Sequence, residues 1–303
     1  MTAPATTPSA GQSRAAAGAA TAPAINTRLY PPVPLAPPRS MAWRMTWAVL
    51  PPIIMGLLLL ALYSVVRDGL EPHRQFLMPS AQGLWELAFS RPEVRWELLD
   101  RALTTITIAV VGLCVSVPIG LVLGVIMFRF YVMERAFFPY LVTLQSIPIL
   151  AIIPLIQSAL GFGFLPKILI VALFTFFAIP TTLLLGLKSV DRGIIDLFKL
   201  QGASWPVILR KAGFPSALPS LFAGLRISAG MAVIGAIVSE LFFLAGRGGL
   251  GQMLINAKID FKYEEMYAAL IASSVLSISV YLFFSWLGNR LFASWHESGN
   301  TKR

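Results

Sequence analysis

The sequence predicts an all-α protein, a polytopic membrane helical bundle with six transmembrane helices, and three observations carry that prediction. Of its 303 residues, 56% are hydrophobic and 13% charged, with a mean hydropathy of +0.74, whereas soluble domains carry roughly a quarter charged residues. Six apolar stretches each reach the roughly 20 residues a helix needs to cross a bilayer. The basic residues lie between these stretches and form no compact face, so the net charge of +10 points to membrane orientation and away from nucleic-acid binding.

Residues 1–44 are dominated by Ala, Pro, Thr, Ser and Gly, and no acid precedes Asp68. That composition predicts a disordered tail before a transmembrane domain over 45–303. Arg14 to Ala24 mimics a signal peptide but has no Leu, Ile, Val or Phe in its core, so an uncleaved cytoplasmic extension is expected. The spans are placed at Met45 to Val66, Ala102 to Phe128, Phe137 to Ala159, Lys167 to Leu187, Ser220 to Leu244 and Glu265 to Asn289. With both termini inside, fourteen of the 24 basic residues fall on the cytoplasmic side and nine outside, the sense required by the positive-inside bias. The remaining one is Arg226, within the fifth span.

Between the first two spans, PSAQGLWELAF and VRWELLDRAL each carry a Trp and leucines beside charges. They read as interfacial helices with tryptophan at the headgroup level. The third span is interrupted by Pro139, Pro148 and Pro154 and carries Gln145, Ser146 and Gln157. Proline frees backbone carbonyls, which is tolerated against protein or a water-filled cavity, so Gln145, Ser146 and Pro148 are candidates for a translocation path; a proline-kinked packing helix is the alternative. Arg226 and Glu240 are the two charges inside the fifth span, about 21 Å apart on one helical face. Each either lines the path or pairs with a neighbouring helix or snorkels. Gly224, Ser228, Gly230 and Gly235 in the same span suit close helix contacts.

The loop 188–219, between the fourth and fifth spans, sets Lys188, Arg192, Lys199, Arg210 and Lys211 against Asp191 and Asp196. Apolar residues at helical spacing over Leu187 to Leu200, a stop at Gly202, and Ser204 ahead of Pro206 predict two short amphipathic helices joined at a glycine. No paired acid–base set, nucleophile elbow or histidine–cysteine cluster is present in the sequence, so neither a catalytic set nor a metal site is expected. The chain has no Gly-Lys dipeptide and hence no phosphate-cradling G-x-x-x-x-G-K-[ST] loop. GRGGLG, Gly246 to Gly251, follows a membrane helix and not a strand, so it reads as a turn into a short outer helix and not as a dinucleotide loop.

These residues resemble ABC-importer permeases. The 188–219 loop is similar to their EAA loop: Gly202 stands at its glycine, Phe214-Pro215 and Leu218-Pro219 at its proline pair, and Ala223 to Gly230 follow as AGLRISAG, while Asp196, Leu197 and Phe198 replace Glu-Ala-Ala. The likeness runs from FLMPS at Phe76 through SIPILAIIPL to GRGGLG, and is strongest to the sulfonate, taurine, nitrate and thiamine-precursor permeases. It implies the type I ABC-importer permease fold in a bacterial inner membrane, with Asp191, Arg192, Asp196, Leu197, Phe198, Lys199, Gly202 and Ser204 coupling to a cytoplasmic ABC ATPase dimer. It also implies a second permease copy in a homodimer and an external solute-binding protein, besides membrane lipid. ATP and Mg would sit on the ATPase, with no cofactor on this chain. The competing class, a self-sufficient channel or ion-coupled secondary transporter, predicts an inverted repeat or several intramembrane acids; no repeat is visible, and Glu240 is the single acid inside a span.

Overall fold

The computed structural model describes residues 41–86 and 90–292; the tail expected over 1–44 lies outside them but for its last four residues, which open the first helix. No strand occurs among the described residues. Two units divide at Val65 and Val66. The described part of the first is α1 (Met41–Asp68) up to Val65; the helix holds Pro51 and Pro52 and contains a 19-residue stretch, Leu50–Asp68, apolar enough to cross a membrane.

The second unit opens with a 3₁₀ turn over Pro72–Leu77 and α2 (Ala81–Trp85), whose Ser80 hydroxyl accepts the Gly83 N–H at 3.0 Å. α3 (Pro92–Arg129) is 38 residues long, about 57 Å at 1.5 Å per residue and well beyond the roughly 30 Å hydrocarbon core. VRWELLDRAL is therefore not a separate interfacial helix. It forms the first turns of α3, because no proline or glycine interrupts the chain between Pro92 and Gly112.

The third span is not a single straight helix either. α4 (Tyr131–Ser146) and α5 (Ile149–Leu160) meet at 96°. Pro148 has no N–H to donate and biases the residue before it away from helical geometry; Ile147 is extended, at φ −71° and ψ 128°. Two contacts locate the two ends of the bent pair. Lys188 pairs with Glu134 at 2.5 Å, placing the start of α4 beside the end of the following span, while Gln157 Nε2 donates to the Phe242 carbonyl at 2.8 Å, placing the end of α5 at the opposite end.

α6 (Phe164–Phe176) and α7 (Ala178–Lys188) make one 25-residue span with an irregular turn at Phe177. After α8 (Arg192–Leu200), α9 (Trp205–Ile208) continues through a π-turn at Leu209–Gly213 into α10 (Phe214–Phe242), a helical run of 38 residues. The expected second short helix of the loop is thus the start of a membrane span. α11 (Leu250–Ile259) and α12 (Tyr263–Phe292) complete the order.

α10 is central, packed on α3, α6, α7, α11 and α12. Its face is made of small residues: Ser228 donates to the Thr175 carbonyl at 3.0 Å, and Gly224 and Gly235 lie against Thr182 and Phe174. Of the four small positions expected there, Gly230 has no neighbour that a methyl would touch. A second small-residue ridge went unnoticed in the sequence. Gly112, Ser116, Gly120 and Gly124 recur every four residues on α3 and meet Val171, Thr175, Ile179 and Leu183 in turn, with Thr175 donating to Ser116 at 2.7 Å. Between helices in lipid, such close backbone approach supplies van der Waals contact where the hydrophobic effect supplies little.

Candidate docking and translocation sites

The polar loop builds one free-standing helix. Asp191 caps α8, its Oδ1 accepting the Gly193 N–H at 2.6 Å, so the helix starts at Arg192 and not at Leu187, which belongs to α7. At the other end Gly202 takes φ +71°, its N–H bonds the Lys199 carbonyl at 2.9 Å and that of Ala203 the Phe198 carbonyl at 3.0 Å. This is the paired closure of a glycine C-cap. Ser204 stands at the N-cap of α9 with its carbonyl accepting from Val207 and Ile208, and its side chain makes no capping bond.

No residue of α8 is buried, although its apolar side is complete: Leu197 is 55% and Leu200 86% exposed, with Ile194, Ile195 and Phe198 beside them. Asp196 and Lys199 form an exposed pair at 3.2 Å, a geometry worth a fraction of a kcal/mol; Arg192 is exposed at the first turn. The chain leaving α8 is held firmly. Arg129 at the end of α3 covers the Trp205 ring at 5.3 Å, and Leu209 packs with Leu187, Ala217 and Leu221. These contacts join the chain that leaves α8 to α3, α7 and α10.

The path candidates separate into three places. Gln145, Ser146 and Pro148 are exposed at the α4–α5 bend, with Ser146 Oγ donating to the Val142 carbonyl at 3.1 Å. Arg226 is half-buried against α12, its guanidinium 5.9 Å from the Tyr281 ring centroid, and its Nε has no hydrogen-bond partner among the described residues. Glu240 is 0% exposed and lies against α3 and α11, so the two charges do not share neighbours.

Glu240 is fixed by a polar clamp that depends on the GRGGLG turn. Its Oε2 accepts the Gly251 N–H at 2.8 Å; the Thr105 hydroxyl stands 3.0 Å from both carboxylate oxygens and itself accepts the Leu250 N–H at 2.9 Å. The carboxylate thus serves the first donors of α11, where the helix dipole favours negative charge. A Cβ at Gly249 would come within 2.1 Å of Glu240 Oε1, and one at Gly251 within 2.3 Å of the Ile237 carbonyl. With no exposed surface, Glu240 lines no open path in this conformation; it joins α10 to α3 and α11.

The profile of the binding-protein-dependent transport system inner membrane component matches residues 116–293, which include the free helix and the whole of α10. This chain belongs to that family. Among related permeases, a Haemophilus influenzae protein named "Probable ABC transporter permease protein" is 30% identical over 80% of this chain and 97% of its own length. The formylaminopyrimidine transport permease protein ThiX of Halalkalibacterium halodurans is 35% identical over 57% of this chain and 69% of its own. An inward-facing structure of the MetNI methionine ABC transporter shares the fold, with a TM-score of 0.56 at 23% identity over 66% of this chain and 97% of that one. An amino acid ABC transporter structure has a TM-score of 0.51 at 17% identity, covering 70% and 98%.

The protein is accordingly the transmembrane permease subunit of an ATP-driven ABC importer, a multi-pass membrane protein working with an ATPase and a solute-binding protein. A channel or ion-coupled transporter is not favoured. Sequence reasoning reached the permease's α8 and its glycine stop through local periodicity. It missed Thr105, which has no local signal because its partners are 135 and 145 residues away. It read Gly249 and Gly251 as turn residues, although two glycines beside a buried acid were the available hint.

Proposed function

We propose that α8 is the element through which the ATPase drives this permease, inserting Leu197, Phe198 and Leu200 into a cleft on the ATPase while Asp191, Arg192, Asp196 and Lys199 set its register. The observation that carries this reading is an amphipathic helix with no buried residue, joined through Gly202 and Ser204 to the helical run that becomes α10. Free apolar side chains on an otherwise polar loop need a partner. The charge count supports placing α8 and both termini in the cytoplasm, with α11 outside. In this reading two permease copies pair, ATP and Mg act on the ATPase alone, and this chain carries no ATPase site. The cargo is a small polar organic or oxyanionic solute, a class that fits the formylaminopyrimidine named for one relative. Gln145, Ser146, Pro148 and Arg226 are proposed for its path, and Glu240 is proposed as a structural tie at its outer end.

Copurification tests the reading. Permease expressed with its ATPase should retain it through affinity purification, and Leu197→Glu should release it while the permease stays in the membrane fraction. Undiminished retention in Leu197→Glu and Phe198→Glu would defeat the docking role of α8.

A further inference from the structure

At the α11 end of the bundle, between the first turns of α3, the α5–α6 turn and the α10–α11 turn, lies a cavity of about 580 Å³, within the range of small-molecule sites. Lys167 lines it and is only 2% exposed, and Arg247 stands at its mouth with most of its side chain in solvent. Among the described residues Lys167 has neither a hydrogen bond nor an ion pair. Its ammonium faces the cavity, where its three donors are available to an incoming acceptor. Glu240 acts on Lys167 through space, but that carboxylate is already held by Thr105 and Gly251. No acidic side chain lines the cavity; Asp100, the partner of Arg247, lies outside its lining.

The rest of the lining shapes the occupant. Thr104 and Thr107 donate their hydroxyl protons to the Asp100 and Leu103 carbonyls at 3.1 and 2.7 Å, so toward the cavity they offer acceptors only. Leu103 and Phe164 supply apolar wall. Positive charge at the base, a second cation at the rim and hydrocarbon between them fit a small molecule with one anionic head and a short apolar body.

We propose that this cavity is a binding site for the anionic head group of a small solute, a sulfonate, carboxylate or phosphate, held by Lys167 with Arg247 at its entrance. The assignment rests on the importer reading above, which faces this end of the permease outward, and it narrows the cargo to anions.

The full chain in phosphatidylcholine nanodiscs tests it, with butanesulfonate as probe and uncharged butyl methyl sulfone as control. Butanesulfonate should raise the melting temperature saturably and the sulfone should not. Lys167→Met, checked for monodispersity, should weaken the response about tenfold or more, and Lys167→Arg should restore part of it. Arg247→Gln, a change on an exposed side chain, should weaken it about threefold and decides the matter if Lys167→Met does not fold. No response in the native chain, or an equal response in the native chain and both charge-removing variants, would overturn the site. Loss of the response when the discs contain phosphatidylglycerol would give the cavity to a lipid headgroup and overturn the solute assignment. A normal response from a permease that fails to retain its ATPase would support the site while counting against the docking reading.

Discussion

A carboxylate with no exposed surface has to be matched inside the protein, and Glu240 is matched by one hydroxyl, one backbone N–H and a nearby lysine. Removing one side of a buried charged cluster leaves the others unpaired, at about 3 kcal/mol or more. Glu240→Ala should therefore lower the melting temperature of the purified permease markedly, and Glu240→Gln less, because an amide oxygen can still accept from Gly251. Were Glu240 a path residue, Glu240→Ala would keep its melting temperature and lose only uptake. Gly249→Ala places a methyl where the carboxylate and the Thr105 hydroxyl already stand; it should fail to accumulate as folded protein in the membrane, measured by fluorescence-detected size exclusion. Thr105→Val, which keeps shape and deletes the hydroxyl, should fall between these, leaving the Leu250 N–H without its acceptor.

At the scale of elements, the turn after α8 depends on glycine in one specific way. Gly202 has open space around it, so nothing would collide with a side chain there, but its φ of +71° disfavours a Cβ by about 1 kcal/mol or more. Gly202→Ala should leave insertion and melting temperature nearly unchanged while uptake into vesicles falls with its ATPase stimulation. Gly202→Asn, which tolerates the left-handed region, should keep most of both. Equal uptake in Gly202→Ala and the native protein would show that α8 needs no defined angle to α10. The α4–α5 bend obeys a different constraint: Pro148 withholds a donor and Ile147 is extended. Its direction across the bundle is set by the Glu134–Lys188 and Gln157–Phe242 contacts at its two ends.

For the whole molecule, the testable quantity is orientation. Contacts collect Glu134, Lys188, Trp205 and α8 at one end and Asp100, Lys167, Phe242 and α11 at the other, and the proposal that the first end faces inside rests on the charge distribution. A single cysteine at Lys199, in a variant with Cys114 replaced by alanine, should resist an impermeant maleimide in intact cells and react once the membrane is opened. Labelling from outside would invert the topology and remove both the docking role of α8 and the outward-facing anion site. A permease preparation free of its ATPase should release no phosphate from ATP, since its sequence has no phosphate-cradling loop; turnover there would require a nucleotide site on this chain.

The helical class, the approximate places of the apolar spans and the stop of the polar loop's first helix at Gly202 were legible in the sequence, whereas the start of that helix, read at Leu187, lies at Arg192 behind the Asp191 cap. Each of these follows from a local property: apolar length against a fixed bilayer thickness, or the backbone demand of a helix end within a few residues. Only the three-dimensional packing shows that Glu240 is held against α3 and α11, that Arg226 faces α12, that α9 runs on into α10, and that the two ends of the bent α4–α5 pair lie at opposite ends of the bundle. It also brought Lys167 and Arg247, 80 positions apart in the sequence, to one cavity. Partners of that kind are chosen by which helices touch and at what height, and helix packing in lipid depends on small residues whose spacing names a face without naming the neighbour that fills it.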